Sequence, residues 1–180
     1  MQKKESLNRG IAMTNNTTPD YLKKRVLILG CGNILFGDDG FGPATIEYIR
    51  KNCDVPDDVY LMDIGTGAGK MLLTLDLSEE KPQKIIILDA VDLKKKSGEI
   101  FQISIEELPK NKAGDFSPHI FPTTNFLKKI RDAGNIEVLI LVCQVENVPE
   151  LVNPGLSKSV KKSIPKAARM ALELAKNSKS

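Results

Sequence analysis

Residues 85–88 read Ile-Ile-Ile-Leu, an unbroken apolar run too short for a buried helix and without the polar alternation of a sheet face in water. A run of that kind fits a strand covered on both faces, near the centre of a largely parallel sheet. The rest of the chain supplies the partners. Residues 25–30 (Arg-Val-Leu-Ile-Leu-Gly) and 136–145 are similar short runs, and residues 59–63 form a further strand. Between them lie segments of helical period. Residues 40–52 carry Phe41, Ala44, Ile46 and Ile49 on one stripe, residues 70–77 carry Met71, Leu72 and Leu75, and residues 123–133 carry Phe126, Leu127 and Ile130. Residues 156–176 form the last helix, in which Pro165 predicts a break near Ser163. Residues 98–105 alternate and predict a strand antiparallel to its predecessor, across the turn at Lys94–Ser97. Strand and helix thus alternate, which predicts an α/β three-layer sandwich, a mostly parallel twisted sheet between helices.

A chain of 180 residues is long enough for one domain with a real core. The expected organisation is a flexible leader over 1–22, a single α/β domain over 23–176 and a frayed tail over 177–180. A net charge of +3 is too small to argue for nucleic acid, and the lysine runs read as a solvated face. No apolar run approaches the ~20 residues of a membrane span. The three cysteines, Cys31, Cys53 and Cys143, form no CxxC pair, which fits reduced thiols in a cytoplasmic setting. Cys31 and Cys143 read as small buried hydrophobes.

Two glycine-rich loops invite a nucleotide reading and do not sustain it. Gly30-Cys31-Gly32 follows the first strand, but the dinucleotide fingerprint needs glycine at position 35, where Leu35 stands. Gly65-Thr66-Gly67-Ala68-Gly69 lacks the Lys-Ser/Thr pair of a phosphate-binding loop.

The chemistry-bearing residues lie where strands end. His119, the only histidine, sits in Ser117-Pro118-His119 within a polar stretch. Asp89 closes the apolar central strand, where a carboxylate is costly to bury unless paired, metal-bound or at the solvent end. Asp38 and Asp39 precede the first helix. Capping explains Asp38 best, whereas for Asp39 a helix cap and a ligand are both open. Two carboxylates and one imidazole, if they converge, make a three-ligand metal site with open positions. The plainer alternative for a lone histidine is a satisfied structural residue. No HExxH, GxSxG or second histidine offers another catalytic set.

The order of these motifs is itself informative. Leu29-Gly30-Cys31-Gly32-Asn33-Ile34-Leu35-Phe36-Gly37-Asp38-Asp39-Gly40-Phe41-Gly42 resembles the opening signature of the hydrogenase maturation proteases. Asp63-Ile64-Gly65-Thr66-Gly67-Ala68-Gly69 resembles the family's second-strand glycine loop, and Leu88-Asp89-Ala90-Val91 its third-strand aspartate. Ser117-Pro118-His119 resembles its histidine motif, and Pro154-Gly155-Leu156-Ser157 the opening of its last helix. The archaeal branch associated with coenzyme F420-reducing hydrogenase is the most similar in style.

This resemblance implies an endopeptidase that removes the C-terminal extension of a [NiFe]-hydrogenase large-subunit precursor. It implies a metal-contacting trio of Asp39, Asp89 and His119, with nickel carried by the substrate rather than held permanently, and Asp38 as a further catalytic candidate. Many family members have glutamate where Asp39 stands. The family is grouped with aspartic-type peptidases, although no DTG pair occurs here. The expected protein is a cytoplasmic monomer with no nucleic-acid partner and no membrane insertion. A non-catalytic nickel-binding or docking factor of the same assembly pathway is the rival reading, and a nucleotide-binding α/β domain is a third.

Overall fold

The computed structural model describes residues 19–107 and 123–177. Five strands form one sheet: β1 (Val26–Cys31), β2 (Val59–Gly65), β3 (Lys84–Val91), β4 (Ile100–Ile103) and β5 (Glu137–Gln144). Their order is β2-β1-β3-β5-β4. The first four of that order run parallel and β4 is antiparallel to β5. The helices are α1 (Phe41–Asn52), α2 (Ala68–Leu77), α3 (Thr123–Gly134) and α4 (Lys158–Lys176).

The pleat divides the apolar strand residues between two cores. Val26, Ile28, Ile86 and Leu88 face Phe41, Ile46 and Ile49 of α1 and Val160, Ala167, Ala168 and Ala171 of α4. Leu27, Leu29, Ile85 and Ile87 face Met71 and Leu75 of α2 and Leu127 and Ile130 of α3. Both faces of β3 are therefore covered, which is why Ile85-Ile86-Ile87-Leu88 has no polar alternation, and the three-layer α/β sandwich is the fold.

The structure departs from the sequence reading at several points. β4 pairs with β5 instead of its predecessor β3, because β3 already has β1 on one edge and β5 on the other. Gln144 steers the connecting turn past it. Its Oε1 accepts from the Leu93 and Lys95 amides (2.9 and 3.1 Å), and its Nε2 donates to Asp92 Oδ1 and the Val145 carbonyl (3.0 and 3.1 Å). α2 begins at Ala68, so the glycine loop is shorter than its composition suggests. α4 runs unbroken through Pro165. The carbonyl that the proline leaves without an amide is that of Lys161, an exposed residue, while Ile164, Ala167 and Ala168 hold the helix to the core. Leu22, within the expected leader, is buried beside a 3-10 turn at Asp20–Lys23.

The end of α4 is secured by cations from the starts of two strands. The buried Lys84 ammonium donates to the Leu174 carbonyl at 2.8 Å and to that of Asn177, and pairs with Glu137 at 3.2 Å. Arg25 donates to the Ala175 carbonyl at 3.0 Å. Among the described residues, no helix is long and apolar enough to cross a membrane.

Candidate active site

The chain leaves β1 through α1 to reach β2 on one side, and returns through α2 to β3 on the other side of β1. Helices α1 and α2 cover opposite faces of the sheet. A crevice consequently opens beyond the carboxyl ends of β1 and β3, the place where doubly wound sheets bind their ligands.

Asp39 lies in a 3-10 turn, Gly37–Gly40, between β1 and α1. Its Oδ2 accepts from the Asn33 amide at 2.6 Å. The turn folds back tightly on the strand end. A Cβ on Gly32, whose φ is +117°, would lie 1.9 Å from the Asp39 carbonyl oxygen, so only glycine fits there. Asp89 comes from β3, one residue beyond the Gly30–Leu88 pairing, and is half-buried with its Oδ1 accepting from the Ala90 amide at 2.8 Å. The first turn of α1 is wedged over both strand ends, since a Cβ on Gly42 would lie 2.2 Å from the Cys31 carbonyl oxygen and 2.5 Å from that of Leu88. Asp39, in the turn after β1, and Asp89, on β3, therefore both lie toward the carboxyl-terminal ends of two adjacent strands.

His119, with Ser117 and Pro118, lies outside the described residues. Among the described residues, no group of three or more His, Cys, Asp or Glu side chains could hold a metal ion.

The N-cap position of α1 is Gly40 rather than Asp38 or Asp39. Asp38 is fully buried. Its Oδ2 accepts from the Glu146 and Asn147 amides (2.8 and 3.0 Å) and its Oδ1 from the Ser157 amide (2.7 Å). It ties the 3-10 turn to the loop between β5 and α4, a connection spanning over a hundred residues that no local pattern announces. Asp63 lies near the end of β2. It is exposed on the same edge of the sheet, and its Oδ1 accepts from the Gly65 amide at 2.9 Å.

This arrangement has relatives. The HycI family model, described as hydrogenase maturation protease, matches residues 43–174. A Methanocaldococcus jannaschii protein assigned to the hydrogenase maturation proteases is 40% identical over 152 residues, covering 83% of this chain and 96% of that one. The coenzyme F420 hydrogenase subunit delta of Methanothermobacter thermautotrophicus is 34% identical over 152 residues, covering 82% and 92%. The hydrogenase maturating endopeptidase HybD of Escherichia coli superposes with a TM-score of 0.67 at 27% identity, covering 83% of this chain and 91% of that one. The chain belongs to the hydrogenase maturation protease family.

It is accordingly a peptidase. Its buried thiol is not the nucleophile of such an enzyme. Burial, and secondarily the charge of Asp38, push Cys143 up to about 12, so it carries no thiolate at neutral pH. In this protease the expected dinucleotide role of a third glycine is taken by Gly42, which supplies the close helix–strand approach that Leu35 could not. The glycine loop after β2 closes against the same edge: the Gly32 amide donates to the Gly65 carbonyl at 3.1 Å.

Proposed function

We propose that this protease removes the C-terminal extension of a nickel-loaded [NiFe]-hydrogenase large-subunit precursor, with Asp39, Asp89 and His119 contacting the nickel that the substrate carries. The observation that supports the reading most is that Asp39, in the turn after β1, and Asp89, on the adjacent strand β3, both lie toward the carboxyl-terminal ends of those strands, in a chain whose relatives include a hydrogenase 2 maturation protease and a coenzyme F420 hydrogenase subunit. Two carboxylates and an imidazole suit nickel, and three donors leave positions for ligands from the substrate. The described chain resumes at Thr123, four residues after His119. From there α3 leads back to the start of β5, so α3 begins on the side of the sheet where the parallel strands end.

In this reading the protein's residues bind and orient. The Asn33 and Ala90 amides hold the Asp39 and Asp89 carboxylates in place. Docking on the substrate's metal converts a loose encounter with a mobile tail into a positioned one. Nickel bound there supplies Lewis acidity toward a nearby carbonyl. The glycine loop at Gly65–Gly67 lets a peptide backbone approach closely. The reading also makes the protein a cytoplasmic monomer. A dimer mass in light scattering of the purified protein would overturn that last part.

The test is a processing assay on purified precursor with and without nickel, read as C-terminal mass loss. Cleavage is expected only of the nickel-loaded precursor, and His119→Ala is expected to abolish it while leaving thermal unfolding near that of the parent. Equal cleavage of nickel-free precursor, or full activity of His119→Ala, would overturn the metal-recognition reading. Tight binding without cleavage would make the protein a docking factor for the precursor.

A further inference from the structure

We propose that Asp38 is a positioning residue of the peptidase: its buried carboxylate, held by three amides of the β5–α4 loop, fixes where the adjacent Asp39 carboxylate stands. The inference rests on the reading of Asp39 as a group that meets the substrate. It is carried by geometry around the 3-10 turn. Asp38 and Asp39 are neighbours on that turn, one fully buried and one half-buried toward the crevice. A carboxylate with no exposure is tolerated only when its oxygens are satisfied, and here both accept charge-assisted hydrogen bonds from Glu146, Asn147 and Ser157.

The same two loops are joined by backbone as well. The Asp38 amide donates to the Asn147 carbonyl at 3.2 Å, the Gly37 amide to the Asn153 carbonyl at 3.1 Å, and the Asn153 amide to the Leu35 carbonyl at 2.9 Å. A Cβ on Gly37 would meet Pro149 at 2.8 Å, so the turn sits directly against that loop. On its other side the turn presses on Gly32 and receives the Asn33 amide through Asp39. The turn that carries Asp39 is therefore gripped from both flanks, with the Asp38 side chain gripping the β5–α4 flank. An uncharged replacement could fill the space, but it could not accept from three amides at once.

Two variants weaken the grip from opposite ends. Asp38→Asn keeps the shape and replaces one acceptor oxygen with an NH2 donor facing amides. Ser157→Pro removes the amide that donates to Asp38 Oδ1, at a residue whose φ of −58° already suits proline. Val26→Ala, a buried change at the amino end of β1, far from the turn, provides a destabilised comparison. With nickel-loaded precursor, Asp38→Asn and Ser157→Pro are expected to lower kcat about 10–100-fold, the range typical of groups that orient a metal-contacting ligand, while Val26→Ala leaves kcat within threefold. The resonance of the Asn33 amide, which donates to Asp39 at 2.6 Å, is expected to move in both latch variants and not in Val26→Ala.

Unchanged kcat together with an unmoved Asn33 resonance in both latch variants would overturn the proposal. So would an equal fall in all three proteins, which would mark Asp38 as a contributor to stability alone. If Asp39→Asn stays fully active, the reading of Asp39 fails instead. The Asn33 resonance then still decides whether Asp38 sets the position of that carboxylate.

Discussion

Gly42→Ala sets two physical effects against each other with opposite signs. By helix propensity, alanine in α1 should stabilise by roughly 0.5–1 kcal/mol. The tertiary setting reverses this. The added methyl carbon would lie 2.2 Å from the Cys31 carbonyl oxygen, 2.5 Å from that of Leu88 and 2.6 Å from the Cys31 amide nitrogen. Comfortable contact needs about 3.5 Å, so α1 must retreat from the sheet by about 1 Å. None of the obstacles is a flexible side chain; all three are backbone of the two central strands. Retreat also loosens Phe41, Ile46 and Ile49, which are fully buried against that sheet. Overpacking of this kind costs about 1–3 kcal/mol, and backbone obstacles put Gly42→Ala at the upper end of that range. The net expectation is a loss of about 2–3 kcal/mol in urea unfolding, with slower precursor cleavage because Asp39 lies just upstream of the displaced turn. A variant as stable as the parent would refute the claim that this close approach builds the crevice.

Lys84→Met should destabilise by about 3 kcal/mol in the same assay, since it strips the Leu174 and Asn177 carbonyls of their donor and leaves Glu137 unpaired. Asp92 is held at about 2 by hydrogen bonds from Lys94 and then Gln144, well below its ordinary value of 3.8. Because the folded state binds this proton less tightly, its contribution is present above pH ~4 and fades as pH falls toward 2. The melting-temperature gap between the parent and Asp92→Asn should therefore close over that window, and a gap independent of pH would contradict it. Asp39→Glu should keep precursor processing, since the carboxylate is retained and glutamate suits the family's pattern; an inactive variant would tie the site to the shorter side chain.

The alternation of apolar runs with helical stripes was enough to determine the layered α/β fold, because burial on one or both faces leaves a periodicity in the chain itself. Ile85-Ile86-Ile87-Leu88 declared its own centrality, whereas Asp89, read as the end of that strand, is followed by two more paired residues, Ala90 and Val91. Strand order was not legible, because the choice between β3 and β5 as the partner of β4 depends on which edges other strands have already filled. Nor was the role of Asp38. Its three donors come from residues more than a hundred positions away, and only the folded chain decides that a turn after β1 is fastened to the loop before α4. The neighbourhood of Asp39 and Asp89 has the same origin: strand order sets β1 beside β3, so residues fifty positions apart along the chain lie on adjacent strands and the turn that follows one of them.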